Sequence, residues 1–130
     1  MISSRNLGFA ILLSVFTFLW GCTGHQRLYG GPVLPPDKVA VIKGSINVFP
    51  GTAMLSIMSV DGKRLSPYAE QIEVLPGRHI LGVEYHLNLA GGIYANGEVV
   101  VEAQEGKIYQ LNSQSDGSFV TFSIAEEQAK

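Results

Sequence analysis

The sequence predicts an all-β chain, a single small antiparallel β-sandwich. Turn residues punctuate it at Asp61-Gly62, Pro76-Gly77, Asn96-Gly97, Glu105-Gly106 and Asp116-Gly117. The stretches between them are rich in β-branched and aromatic residues and alternate apolar with polar at a period of two, the mark of half-buried strands. Beyond the first 22 residues no long 3.6-residue period appears, and 130 residues hold one domain at most.

At the N-terminus, Arg5 precedes an apolar run from Leu7 to Trp20, 14 residues. A spanning helix needs roughly 17–25 apolar residues, and Gly21 and Gly24 end this run without a cationic stop. Residues 1–21 therefore read as a removable export signal. The run closes in Leu19-Trp20-Gly21-Cys22, which resembles the lipobox of bacterial lipoprotein signals: an aliphatic residue three before the Cys and a small one just before it. Trp20 departs from the pattern, which favours a small residue there. The resemblance implies cleavage between Gly21 and Cys22, thioether linkage of Cys22 to diacylglycerol and acylation of the new amine. Each buried methylene contributes about 0.8 kcal/mol and two chains hold stably, so such a terminus stays in the bilayer. By the enterobacterial sorting rule, Thr23 in place of Asp implies the outer membrane, on its periplasmic side. The bland alternative is an incidental thiol beside an uncleaved anchor.

Residues 22–37 form the lipidated N-terminus and tether, since Gly24, Gly30, Gly31, Pro32, Pro35 and Pro36 resist helix and strand alike. Fully extended, such a spacer reaches up to ~45 Å. Residues 38–125 form the sandwich. Val39–Ile42 is the first strand, and Ile46–Phe49 the second, bounded by Gly44 and Pro50-Gly51. Ala53–Val60 leads into the Asp61-Gly62 hairpin signal. Ile72 and Val74 alternate with Gln71 and Glu73 before the Pro76-Gly77 turn. In the clearest alternation, His79, Leu81, Val83, Tyr85, Leu87 and Leu89 share one face, the expected core, and Ile80, Gly82, Glu84, His86 and Asn88 the other. After the expected Asn96-Gly97 turn, Val99, Val101 and Ala103 point inward against Glu98 and Glu102. Glu105-Gly106 turns the chain into Lys107–Asn112, and Ser115-Asp116-Gly117 into Phe119–Ala125. Residues 126–130 are a polar end.

Val60-Asp61-Gly62-Lys63, followed by Ile72 through Tyr85 with its Pro76-Gly77-Arg78-His79 step, resembles a PEGA-type module. Those small repeats place an aspartate-glycine turn before one strand and a proline-glycine-x-histidine turn before the next. Glu102 to Leu111 and the Tyr29-Gly30-Gly31-Pro32-Val33-Leu34-Pro35 segment before Val39 are similar to stretches of small envelope lipoproteins. The match covers most of Tyr29 to Leu111. It implies a transthyretin-like or immunoglobulin-like sandwich and carries no catalytic residues. Arg64 to Glu70 departs from the short Thr-Pro step of those modules, with Ser66-Pro67 standing nearest to it.

Chemistry-bearing constellations are sparse. Nine Lys and Arg against eleven Asp and Glu leave a net charge of −2, with no cationic surplus for coating nucleic acid. His25 falls in the tether, and His79 and His86, seven apart on one strand, lie on opposite faces and cannot share a metal. His79 reads as a packed ring with a turn hydrogen bond. Asn112, Gln114, Asp116 and Gly117 imitate half a calcium loop, but position twelve is Ser123 where a bidentate Glu is needed. No nucleophile elbow occurs. The pairs Glu70/Glu73 and Glu126/Glu127 are solvated charge by default; glycan hydrolysis needs two carboxyls roughly 5–10 Å apart across a cleft.

The segment Asn88 to Gly97 is more informative. If the preceding strand ends near Ala90, Ile93 and Tyr94 sit on a loop tip as candidate partner contacts; folding back over the sandwich edge is the alternative. Phe119 and Val100, out of phase with their strands, are candidates for an exposed apolar patch. The expectation is a non-catalytic, lipid-anchored envelope lipoprotein with a binding or structural accessory role, no cofactor, no metal, and an envelope protein or peptidoglycan as partner. A small peptidoglycan-remodelling enzyme using Glu70 or Glu73, and a surface-displayed adhesion module, are the alternatives.

Overall fold

The computed structural model describes residues 25–45, 49, 51–89 and 92–127. They form nine strands: β1 (His25–Arg27), β2 (Ala40–Lys43), β3 (Ala53–Val60), β4 (Lys63–Ala69), β5 (Gln71–Val74), β6 (Gly77–Leu87), β7 (Ile93–Ala103), β8 (Ile108–Ser115) and β9 (Val120–Glu126). A five-stranded sheet of order β1-β5-β2-β8-β9 packs on a four-stranded sheet of order β4-β3-β6-β7, so the chain is a small β-sandwich. The four-stranded sheet is antiparallel throughout. The five-stranded one is mixed, because β1 runs parallel to β5 and β2 parallel to β8, where the sequence suggests antiparallel pairing alone.

Period-two patterning decides what is inside. Ile42, Ile57, Ile72, Val74, Leu81, Val83 and Leu111 are fully buried between the sheets, and no charged or polar residue joins them among the described residues. Leu81, Val83 and Tyr85 of β6 are buried as the alternation requires, as are Val99, Val101 and Ala103 of β7. The expected turns at Asp61-Gly62, Pro76-Gly77, Glu105-Gly106 and Asp116-Gly117 all occur. Asp61 and Gly62, with φ of 52° and 81°, close the β3–β4 hairpin. Pro76-Gly77 and Glu105-Gly106 instead carry the chain from one sheet to the other, so these turns are corners. Tyr109 ties down the second corner: its hydroxyl accepts the Gln104 N–H at 2.9 Å and donates to the Glu102 carbonyl at 3.3 Å.

Two expectations are revised, and one strand that the sequence did not announce is added. Asn96-Gly97 is no turn. It lies within β7, opposite Glu84 and Val83 of β6, and a Cβ at Gly97 would stand 2.6 Å from the ring of Phe122 on β9. The glycine is there for a close approach between sheets. Second, His25–Arg27, placed in the tether by composition, pair with Gln71–Glu73; an open sheet edge outweighs weak strand propensity. The added strand is Lys63–Ala69, an edge strand despite Pro67, which a sheet edge tolerates. Of the expected strand Ile46–Phe49, residues 46–48 lie outside the described residues; Phe49 stands exposed outside any strand.

The two sheets meet at one end through β2. Beyond Lys43, Ser45 exchanges backbone hydrogen bonds with Leu55 of β3 at 2.9 and 2.7 Å. A side chain at Gly44 would run into the Leu55 carbonyl. That bridge fixes which strand ends lie together.

Candidate functional site

Gly21 and Cys22, the cleavage and lipidation residues, lie outside the described residues, as does the apolar run before them. The description begins three residues later, at His25. His25 pairs with Gln71, which pairs with Lys43, so β1 starts at the end of the sandwich where β2 crosses to β3. The side chains confirm the seating. The His25 ring lies 2.7 Å from Glu73 Oε2 through Nε2 and 2.7 Å from Gln71 Nε2 through Nδ1, and the Leu28 N–H donates to the Glu73 carbonyl at 2.9 Å.

Ile93 and Tyr94 occupy that same end. They open β7 opposite Leu87 and His86, so they stand on a strand and not on a loop tip. Ile93 is 52% and Tyr94 63% exposed. The Tyr94 ring stacks on the His86 imidazole, centroids 4.3 Å apart and planes 8° from parallel. Gly92, at φ 59°, lays its backbone against the stack: a Cβ there would meet Tyr94 at 3.1 Å. The Gly92 N–H donates to the Leu89 carbonyl at 2.9 Å where the two antiparallel strands meet, and the Gly91-Gly92 doublet was the sequence signal for a chain reversal there. Reading Asn96-Gly97 as the turn hid the His86–Tyr94 partnership.

Three further apolar side chains join this end. Gly51 N–H donates to the Asn88 carbonyl at 2.7 Å and Asn88 N–H to the Thr52 carbonyl at 3.0 Å. These bonds tie the loop carrying Phe49 to the one carrying Leu89, which are 70% and 49% exposed. Phe119, 76% exposed, caps the β8–β9 hairpin. Its backbone is set by Asp116, whose Oδ1 accepts the N–H groups of Ser118 and Phe119, each at 2.8 Å. Those bonds, the one to Phe119 first, hold the Asp116 carboxyl below the usual carboxylate value. Val100 is exposed as well, but it pairs with exposed Ile80 toward the opposite end and is separate from Phe119.

Below the stack, on the outer face of the four-stranded sheet, Met58, Ser59, Arg64, Tyr68 and Asn96 line a shallow groove of about 320 Å³. Arg64 Nη2 donates to the Tyr68 hydroxyl at 2.8 Å, and its guanidinium lies 5.6 Å from the ring centroid. A second groove, of about 500 Å³, lies at the far end between Arg27, Leu28 and Tyr29 and the β3–β4 hairpin.

His79 is a structural residue, as the strand parity suggests. Nδ1 lies 2.6 Å from Asp61 Oδ2 and Nε2 2.7 Å from the Leu75 carbonyl, clamping the β3–β4 turn to the corner before β6. The Ile80 N–H donates to Asp61 Oδ1 at 2.8 Å. That bond first, and His79 second, hold the Asp61 carboxyl below its usual 3.8. His86 faces the other way. The carboxylates considered for glycan chemistry are distributed: Glu73 faces His25 at 2.7 Å and Arg27 at 3.8 Å, Glu126 pairs with Lys107 at 3.1 Å, and Glu127 with Lys43 at 3.3 Å. Among the described residues no three His, Cys, Asp or Glu side chains converge as metal ligands. Compared with protein-family models, curated proteins and solved structures, the chain finds no match.

Proposed function

We propose that this chain is a lipid-anchored protein of the bacterial envelope, held through Cys22 at the periplasmic side of the outer membrane and acting by contact, without catalysis, in a binding or structural accessory role. One observation carries the reading: Leu19-Trp20-Gly21-Cys22 ends a 14-residue apolar run and contains the chain's single cysteine. The run is too short to be a comfortable span, and the thiol stands where lipid attachment requires it. The likeness of Val60 to Tyr85 to PEGA modules agrees with an envelope address. Exposed Ile93 and Tyr94 support a contact role, with the Tyr94 ring pre-ordered by its stack on His86.

The test is expression of wild type and Cys22→Ser in a bacterial host with a lipoprotein-processing pathway. Wild type should partition into the detergent phase, with an intact mass of the chain from Cys22 plus a lipid adduct. Cys22→Ser should move to the aqueous phase. A wild-type mass with an unmodified thiol overturns the reading, and so does a Cys22→Ser protein that stays membrane-bound, which would make the apolar run a retained anchor.

A further inference from the structure

We propose that the end of the sandwich carrying Phe49, Leu89, Ile93, Tyr94 and Phe119 lies against the bilayer that holds the Cys22 anchor. This rests on the lipid-anchored reading and names the surface that Ile93 and Tyr94 contact.

Three independent observations meet here. The first is where the anchor leaves the fold. His25 is level with Lys43 through Gln71. Ser45, two residues on, is level with Leu55, Tyr85 and Ala95, so Tyr94 stands one step higher still, three residue-steps above His25. Cys22 precedes His25 by the same number of residues. Three residues span at most about 11 Å. The lipidated residue therefore stays within that distance of His25, and a bilayer holding it comes within reach of the level of Tyr94.

The second observation is the choice of side chains. Among the described residues three aromatic rings are largely exposed, Phe49, Tyr94 and Phe119. All three stand at this end: Phe49 just before β3 begins, Tyr94 as β7 begins, and Phe119 beyond Ser115, where β8 has run five residues past the partner of Lys43. Tyr94, an apolar body with a polar tip, suits the headgroup region, where Tyr and Trp concentrate, and Phe49 and Phe119 offer apolar rings for burial at the headgroup–acyl boundary.

The third is charge. Segments 44–55, 86–97 and 109–125 contain a single Asp, Glu, Lys or Arg between them, Asp116, whose carboxylate is engaged by the backbone of the turn that presents Phe119; exposed Glu70, whose carbonyl accepts the Gly44 N–H at 2.7 Å, is an acidic residue beside them. The far end is different. There the exposed Ile80–Val100 pair adjoins Arg78 opposite Glu102, and Asp37, Lys38, Asp61, Lys63, Glu105 and Lys107 surround the turns. Charged groups keep that end in water.

The test uses the full lipidated chain, whose Cys22 is blocked by lipid, with one cysteine added for a spin label: Ile93→Cys, Phe119→Cys or Lys63→Cys. Each is reconstituted in vesicles of phosphatidylethanolamine and phosphatidylglycerol. Accessibility to oxygen and to a water-soluble nickel chelate is compared with the same label on soluble Cys22→Ser protein. At 93 and 119, nickel accessibility should fall severalfold and oxygen accessibility rise on the vesicle; at 63 neither should change. If the protein floats with the vesicles while 93 and 119 stay as water-exposed as 63, the anchor stands and the docking is overturned. If protection at 93 and 119 appears only when envelope proteins are added, the surface belongs to a protein partner and the docking is overturned as well. If the wild-type chain fails to float, the anchor falls and the docking with it.

Discussion

Gly97→Ala isolates the contact that holds the two sheets at their fixed approach. The added Cβ would stand 2.6 Å from Cδ2 and Cε2 of Phe122, whereas carbon atoms rest comfortably at about 3.5–4.0 Å. The ring must retreat by roughly 1 Å in a packed layer, and overpacking of that size costs about 1–3 kcal/mol. Against this, replacing glycine by alanine in a strand with ordinary φ gains about 0.5–1 kcal/mol from the unfolded chain. The clash wins, leaving a net loss of about 0.5–2 kcal/mol, or a fall in Tm of roughly 2–12 °C for a domain of this size. The assay is a double-mutant cycle by urea and thermal unfolding with Phe122→Leu, which removes the obstructing ring edge. In that background Gly97→Ala should be neutral or mildly stabilising, a coupling of about 1–2 kcal/mol. If Gly97 were instead the second residue of a hairpin turn, alanine would be costly whatever stood at 122. Equal losses in the two backgrounds would refute the close-approach account.

At Asp61 a pH dependence is expected. Its folded-state pKa lies below the usual 3.8, held there by the Ile80 N–H and by His79. A depressed carboxylate contributes stability above its unfolded value and loses it as pH falls through the folded one. Asp61→Asn, which tolerates the positive φ, should therefore be less stable than wild type at neutral pH. The side chain is half exposed, so solvent screening limits the difference to below about 1 kcal/mol. The gap should narrow below pH 3.8; a gap that is the same at pH 7 and in acid contradicts the assignment. Gly77→Val probes the corner between the sheets: at φ 132° and with no heavy atom within 4 Å of where a Cβ would stand, the whole effect is backbone strain, about 1–3 kcal/mol. An unchanged Tm would refute that.

What the sequence made legible was local. Aspartate and glycine at 61–62 announced their turn because few residues accept positive φ there, and β6 and β7 announced their inner faces because Leu81, Val83, Val99 and Val101 repeat every second residue. What it hid was relational. Pro76-Gly77 looks alike whether it closes a hairpin or turns a corner; the destination of β5 is decided by the edges left open beside β2 and β1. The Asn96-Gly97 pair has the composition of a tight turn, and only the ring of Phe122 from the other sheet explains the glycine within a strand. His25–Arg27 has almost no strand propensity, and its pairing is supplied by Glu73 and Gln71, some 46 to 48 residues away. At the site, Ile93 and Tyr94 were readable as exposed apolar residues, but the His86 stack beneath Tyr94 depended on a register that the misplaced turn concealed.

The pairing of β1 changes what an anchor at Cys22 accomplishes. A free spacer of Thr23 to Pro36 would let the body wander up to ~45 Å from the lipid, and docking it would require giving up that freedom on every encounter. Because His25 is already held in the sheet, folding has removed most of that freedom beforehand, and only Thr23 and Gly24 would stand between the sheet and a lipid on Cys22. Weak apolar contacts then suffice. Full burial of a phenylalanine contributes about 1.5–3 kcal/mol, and Phe119 and Phe49 retain most of their surface for such burial. The translational penalty that would defeat such small contacts in a soluble protein would be met by a lipid on Cys22 instead, since a short link converts docking into an intramolecular step at high effective concentration. On the proposed docking, the same sheet edge that accepts His25–Arg27 would set orientation as well as distance: the charged corner of Asp61, His79 and Glu105 would be turned toward the aqueous side, and the groove beside Arg27 and Lys63 would open away from the bilayer.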